Sequence, residues 1–201
     1  MGMDLQTLRG KEVIPHLEPI AQLRITIFRE FPYLYDGDIE YEKNYLRNYA
    51  DSPSSVVVLA LDKEKIVGAS TALPLRHADS AFQEPFLKAG MALDSIFYFG
   101  ESVLLKDYRG QGTGSRFFDA REQAAVDWDA TLTAFCAVDR KQDHPLRPAN
   151  YRSPESLWKK RGYVKQANLQ CSFTWKTIPE STERDHTLTF WTKARAGLPE
   201  G

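Results

Sequence analysis

The strongest chemical signal in the chain is six consecutive residues, Arg109-Gly110-Gln111-Gly112-Thr113-Gly114. They follow an apolar, aromatic and β-branched run from Ile96 to Leu105. They precede Phe117, Phe118, Arg121, Ala124, Ala125 and Trp128, which recur at helical spacing. Strand, glycine loop and helix together suit an anion. Glycines let the backbone turn sharply and approach a ligand, and the unpaired N–H groups of the helix's first turn point outward at the positive end of its dipole. The expected guest is a phosphate. A second chemical candidate lies inside the run: Glu101 is its only carboxylate. Burial disfavours the charged form of such a group and raises its pKa toward the range of a general base. The competing reading is a structural ion pair with Arg24, Arg29 or Arg147, because buried acids are seldom left alone.

The elements around these residues follow from periodicity. Residues Leu5 to Arg9 read as a strand, and Leu17, Ile20, Leu23, Ile27, Phe28 and Phe31 form a helical stripe that Pro32 stops. A turn at 32–38 follows, where Asp38 is placed to cap a second helix bearing Tyr41, Tyr45, Leu46 and Tyr49. Two β-branched runs, Ser55 to Leu61 and Lys65 to Leu73, have the spacing of an antiparallel hairpin. Residues 76–93 read as an insertion, with a short helix opened by Pro85 in its first turn and closed near Gly90. Thr131 to Val138 is a buried strand. A proline-bounded loop from Asp139 to Arg152 presents His144, Arg147 and Tyr151, and Ser153-Pro154 start a further helix that Gly162 closes. A C-terminal hairpin over about 163–193 ends the chain, with a polar loop from Pro179 to His186.

Composition narrows the function. A chain of 201 residues, 42% hydrophobic and 26% charged, fits one α/β domain, and a net charge of −1 offers no global attraction to nucleic acid. The apolar runs are too short to span a bilayer and the N-terminus lacks a basic segment followed by an apolar one, so a cytoplasmic protein without membrane attachment is expected. Cys136 and Cys171 lie in strand-like runs without CxxC spacing and read as buried free thiols. The four histidines are scattered, and no metal is expected.

Arg109-x-x-Gly112-x-Gly114 resembles the pyrophosphate-binding signature Q/R-x-x-G-x-G/A of the GNAT superfamily of N-acetyltransferases. The order of elements resembles the GNAT fold over essentially the whole chain, and Leu157-Trp158-Lys159-Lys160-Arg161-Gly162-Tyr163 is similar to that family's L-Y-x-K-x-G-F segment. The resemblance implies an α/β (α+β) fold. A central mixed twisted sheet of about seven strands would be flanked by helices in a single domain over 1–201. Acetyl-CoA would bind at a splayed strand and the glycine loop. It assigns the pyrophosphate to the backbone of Arg109, Gly110, Gln111, Gly112, Thr113 and Gly114, with Ser115 just inside the helix, and the pantetheine arm to free backbone groups at Val103, Leu104 and Leu105. Glu101 stands where family members often carry a catalytic glutamate. The family's usual acid is a tyrosine, and here that position is Trp158, which cannot protonate a thiolate at neutral pH. Water, or Tyr151 or His144 from the preceding loop, is left to do so.

The acceptor is expected opposite the cofactor. Tyr33, Tyr35 and Asp36, with Asp38, suit a cationic amine, whereas His144 and Arg147 suit a carboxylate. Turn chemistry and surface packing explain the acidic and aromatic turn equally well. The expected activity is transfer of acetyl from acetyl-CoA to a primary amine of a small molecule or a protein, by direct attack, with a homodimer allowed. One alternative is a non-catalytic acyl-CoA sensor, suggested by the missing tyrosine. Another is a nicotinamide-dinucleotide enzyme, weakened by Ser115 at the place of a third glycine and by the charged Lys106, Asp107 and Arg109 before the glycines.

Overall fold

A computed structural model of the protein describes residues 3–195. Seven strands form one mixed sheet: β1 (Asp4–Leu8), β2 (Val56–Asp62), β3 (Lys65–Pro74), β4 (Ile96–Leu104), β5 (Leu132–Val138), β6 (Val164–Lys176) and β7 (Glu183–Ala194). Their order across the sheet is β1-β2-β3-β4-β5-β7-β6, and β7 is therefore inserted between β5 and β6. Every pairing is antiparallel except β4 with β5. Strand β2, Val-Val-Val-Leu-Ala-Leu-Asp, is apolar on both faces because helices cover both sides of it.

One face carries α1 (Leu17–Phe28), α2 (Ile39–Asp51) and α3 (Ser80–Lys88); the other carries α4 (Thr113–Asp127) and α5 (Glu155–Lys160). On the first face Ile20, Leu23, Leu46 and Tyr49 pack on Val57, Leu59 and Val103. On the second, Phe117, Phe118 and Ala124 pack on Val58, Phe97 and Phe99. The alternation of side chains along the strands puts Val57 and Val58 on opposite faces. Asp38 caps α2 as expected, its Oδ1 accepting from Tyr41 N at 2.9 Å.

Two expectations are corrected. Helix α3 begins at Ser80, and Pro85 lies inside it, because the Asp79 carboxylate accepts from Ala81 N at 2.8 Å and sets the start five residues earlier than the proline would. Strand β7 begins at Glu183, not Thr187. Its polar first residues pair with Thr174 to Lys176 of β6 in an exposed ladder that needs no apolar pattern.

The feature that shapes the site is a short ladder. Strands β4 and β5 pair only at Ile96↔Leu132, Phe97↔Thr133 and Tyr98↔Ala134. Beyond those pairs β3 holds β4 out to Leu104, and β7 holds β5 out to Val138. Each strand is secured on its outer side, and between them the sheet opens. Among the described residues no helix is long and apolar enough to cross a membrane.

Candidate active site

The opening leads into a cleft of about 1140 Å³ that runs from the glycine loop, past the splayed strands, to the turn between α1 and α2. A β-bulge in the β3–β4 pairing places Glu101 there. Ser70 faces Ser102 and Ala72 faces Phe99, so Gly100 and Glu101 together oppose Thr71. A bulge of this kind turns a side chain away from strict alternation. Glu101 N donates to Thr71 Oγ1 at 3.2 Å. Glycine is required beside it, since a Cβ at Gly100 would collide with the Tyr49 hydroxyl and Thr71 Oγ1.

Glu101 is buried and paired. Its Oε2 accepts from Arg24 Nη1 at 2.5 Å, while Arg24 Nε donates to Glu42 Oε2. The guanidinium lies over the Tyr45 ring at 4.2 Å and the Phe28 ring at 5.0 Å. Burial acts to lower the Arg24 pKa, but Glu101 and Glu42 outweigh it and hold the pKa well above its usual value. One oxygen of this network is left over: Glu101 Oε1 is buried with no hydrogen-bond partner among the described residues. The arginine pairing anticipated for Glu101 is with Arg24; Arg29 pairs with Asp36 at 3.2 Å, and Arg147 rests on aromatic rings.

At the other end, Gly112 stands at the N-cap of α4 with φ +83°, a conformation that favours glycine, and among the described residues no side chain caps the helix. A Cβ added at Gly110 or Gly112 would project into open space. Thr113, only 1% exposed, keeps Oγ1 without a hydrogen-bond partner among the described residues and lines the cleft with Arg109, Gly110, Gly112 and Gly114. Gln111 is exposed and outside the cleft wall; Ser115, half-buried, is outside it too, and its N–H donates to Gly112 O at 3.0 Å. Arg109 clasps Glu30 through both terminal nitrogens (2.8 and 3.0 Å), and its Nε donates to Leu104 O at 2.8 Å. Two backbone groups expected to be free are therefore engaged: Leu104 O by Arg109, and Leu105 N–H by Val67 O at 2.9 Å. The Val103 side chain is fully buried in the core against α1 and α2.

The acceptor-side residues converge only in part. Tyr33, Tyr35, Asp36, Arg147 and Tyr151 line the cleft; His144 does not. Phe31, the last residue of the helical stripe that the sequence predicts, is the hub of the loop. Tyr151 packs edge-on against it at 4.7 Å, His144 lies 5.7 Å away, and the Arg147 guanidinium is 5.8 Å from Phe31 and 5.0 Å from Tyr151. Asp36 is tied to Lys176 at 2.7 Å, and its pKa is lowered mainly by that lysine. The Tyr33 phenol is pushed up by burial, as is the Tyr35 phenol. Burial also raises the Tyr151 phenol. Trp158 lines the cleft edge-on to Phe135 at 4.9 Å and Trp191 at 5.2 Å.

Sequence reasoning missed Arg140 and His186. Arg140 donates to Pro32 O at 2.7 Å and Tyr33 O at 2.9 Å, and lies 3.2 Å from His186 Nδ1. No local pattern marks such long-range bonds. Among the described residues, no group of three or more His, Cys, Asp and Glu side chains could hold a metal ion.

A mixed sheet split between β4 and β5, with a glycine loop opening the next helix, is the fold of the GNAT acetyltransferases. Solved structures of that fold match the chain over nearly its full length. A ribosomal-protein-alanine N-acetyltransferase from Brucella melitensis superposes with a TM-score of 0.61 at 11% identity, covering 96% of this chain and 99% of that one. The yncA protein of Salmonella typhimurium, solved with acetyl-CoA, gives 0.60 at 10% identity, covering 100% and 99%. A polyamine N-acetyltransferase from Drosophila melanogaster, which forms N-acetylagmatine, gives 0.61 at 12% identity, covering 96% and 100%. No family model and no curated protein matches the sequence.

Proposed function

We propose that this chain is an N-acetyltransferase that moves the acetyl group of acetyl-CoA to a primary amine of a small molecule or a protein. The observation that carries the reading is the cleft itself: β4 parts from β5 beyond Tyr98 and Ala134, and the opening connects a glycine-capped helix N-terminus with a buried glutamate. The loop fits a phosphorylated carrier on its own chemistry. The space before Gly110 and Gly112 is open, α4 presents uncapped N–H groups, and Thr113 Oγ1 has an unused hydrogen-bonding capacity. Backbone from Arg109 to Gly114 would hold the pyrophosphate, and acetyl-CoA would supply a reactive thioester.

The chain's own groups supply the rest. Glu101, placed by the bulge, takes a proton from the acceptor ammonium directly or through water, with Oε1 free to accept it. Arg24 fixes the carboxylate through Oε2. Tyr33, Tyr35 and Asp36 give the acceptor end an aromatic and acidic wall, and Arg147 provides a cation for an acceptor that carries a carboxylate. His144 acts behind Phe31 as a support for the loop. We place the reaction in the cytoplasm, without metal or nucleic acid.

Release of free thiol from acetyl-CoA across a panel of amines tests the proposal. Acceptor-dependent turnover is expected. Coenzyme A binding with no turnover on any amine would replace the enzyme by an acyl-CoA sensor, and binding of a nicotinamide dinucleotide in its place would overturn the loop assignment. Gly112→Asp, which sets a carboxylate against the pyrophosphate, is expected to abolish coenzyme A binding in a folded protein.

A further inference from the structure

A second buried arginine, Arg121 of α4, lies on the opposite side of the sheet from Arg24. It is 2% exposed, yet among the described residues it makes no ion pair. The acids nearest to it along the helix, Asp119 and Glu122, are both held by Arg161 at 2.6 Å. Its Nε donates to Phe117 O at 3.3 Å, one turn back, and no bond from its two terminal nitrogens is found among the described residues. The guanidinium rests 4.6 Å from the Phe99 ring and 4.7 Å from the Phe118 ring.

The location gives this cation a use. Phe99 is the first β4 residue beyond the last β4–β5 pair, and Phe135, 5.9 Å from Phe118, is the first on β5. Arg121 lies at the apex of the split and lines the cleft. Its titratable neighbours are Tyr163, Glu101, Tyr49 and Glu122. Burial pushes its pKa down to about 10, which leaves it charged at neutral pH. A desolvated cation with open hydrogen-bond donors attracts negative charge far more strongly than one in water.

We propose that Arg121 forms a thiolate subsite, holding the sulfur of coenzyme A as an anion when the acyl group departs. This rests on the acetyl-transfer reading above. In the reaction the amine lone pair forms the C–N bond and the C–S bond breaks with its electron pair remaining on sulfur. The ammonium protons leave through Glu101 or water, and the thiolate is protonated by solvent after it leaves the cleft. Such a subsite removes the need for a protonating tyrosine at the position of Trp158, because the leaving group is stabilised by charge instead of by a proton.

Binding without turnover tests the assignment. The affinities of coenzyme A and desulfo-coenzyme A are measured by calorimetry from pH 7 to pH 9.5. If the bound thiol ionises more readily than a free thiol of pKa about 8.5, coenzyme A gains on the desulfo analogue as pH rises, by at least about fivefold over this range. Arg121→Met is expected to flatten that ratio while leaving desulfo-coenzyme A affinity within about twofold; Arg121→Lys, a cation that the same burial discharges as pH rises, restores part of the slope only at the low end of the range. If Arg121→Met does not fold, Arg121→Gln and Arg121→Lys make the same comparison. A flat ratio in the unaltered protein, or a slope that survives loss of the cation, overturns the thiolate subsite. Failure of the unaltered protein to bind either ligand overturns the acetyl-transfer reading, and the subsite with it.

Discussion

Arg24 and Arg121 are both buried and flank the same split in the sheet, but they are compensated in different ways. Arg24 is locked between Glu42 and Glu101, with Tyr45 and Phe28 against its face. Arg121 has aromatic rings, one backbone carbonyl and a cavity. A guanidinium whose charge is consumed by two carboxylates serves geometry: it fixes Glu101. One stacked between rings keeps its field, which reaches whatever enters the cleft. Similar burial thus conceals opposite uses, and the partner list separates them.

The largest expected effect comes from breaking the locked arginine. Arg24→Met leaves two buried carboxylates facing each other without a cation, and should cost about 3–5 kcal/mol of unfolding free energy in denaturant titration. A loss under about 1 kcal/mol would mean that the network is not what holds α1 and α2 to β4.

Next is Glu101→Gln, which keeps the shape and leaves Arg24 with Glu42. Turnover at pH 7 is expected to fall roughly 100-fold, with coenzyme A affinity little changed. Near-normal turnover with a lower melting temperature would assign Glu101 wholly to the structural network. That result would erase the functional side of the comparison.

Arg140 is an intermediate case, bound to carbonyl oxygens and to a neutral histidine. His186 Nδ1 accepts from Arg140, leaving Nε2 to donate to Trp175 O at 3.3 Å. Burial, with Arg140 nearby, lowers the His186 pKa. The unfolded chain therefore binds more protons than the folded one below the ordinary histidine pKa of about 6.5. Its contribution to stability is complete above that pH and is lost as pH falls toward the depressed folded value. His77, lowered first by burial, acts with the same sign. Melting temperature measured from pH 7.5 to pH 5 should decline, and less steeply in His186→Gln; equal slopes would remove His186 from the account.

The smallest effects belong to the open side. Arg121→Met exchanges a cation that has no ion partner among the described residues for apolar volume among Phe99, Phe117 and Phe118. Stability should change by less than about 1 kcal/mol, because the lost cation–π attraction is offset by relief of desolvation. A loss near that of Arg24→Met would show that the two arginines are equally structural. Tyr151→Phe, which removes only a hydroxyl from a ring packed on Phe31, should leave turnover nearly unchanged. A roughly 100-fold fall with unchanged coenzyme A affinity would make Tyr151 the proton donor and take that role from the charge at Arg121.

Local signals in this chain are legible where local physics decides. The glycine loop, the Asp38 cap, the β2–β3 hairpin and the run of β4 are dictated by backbone freedom, capping chemistry and apolar periodicity, all written within a few residues. Even the pairing of Glu101 with an arginine follows from the cost of burying a lone carboxylate, although the sequence leaves three arginines in contention. Tertiary structure alone decided that the partner is Arg24 and that Glu42 shares it. It also decided that Phe31 gathers His144, Arg147 and Tyr151, with His144 off the cleft wall, and that Arg140 reaches back to Pro32 and Tyr33. Arg121 gives the clearest instance. In sequence it is a member of a helical stripe. Among the described residues it has no ion partner, its helix neighbour Glu122 is held by Arg161 and Lys193 from distant parts of the chain, and it reaches the cleft because β4 and β5 part beside it. Periodicity fixes which face of a helix turns inward, while charge compensation and the shape of a cavity depend on residues far apart in the chain that meet only in the folded protein.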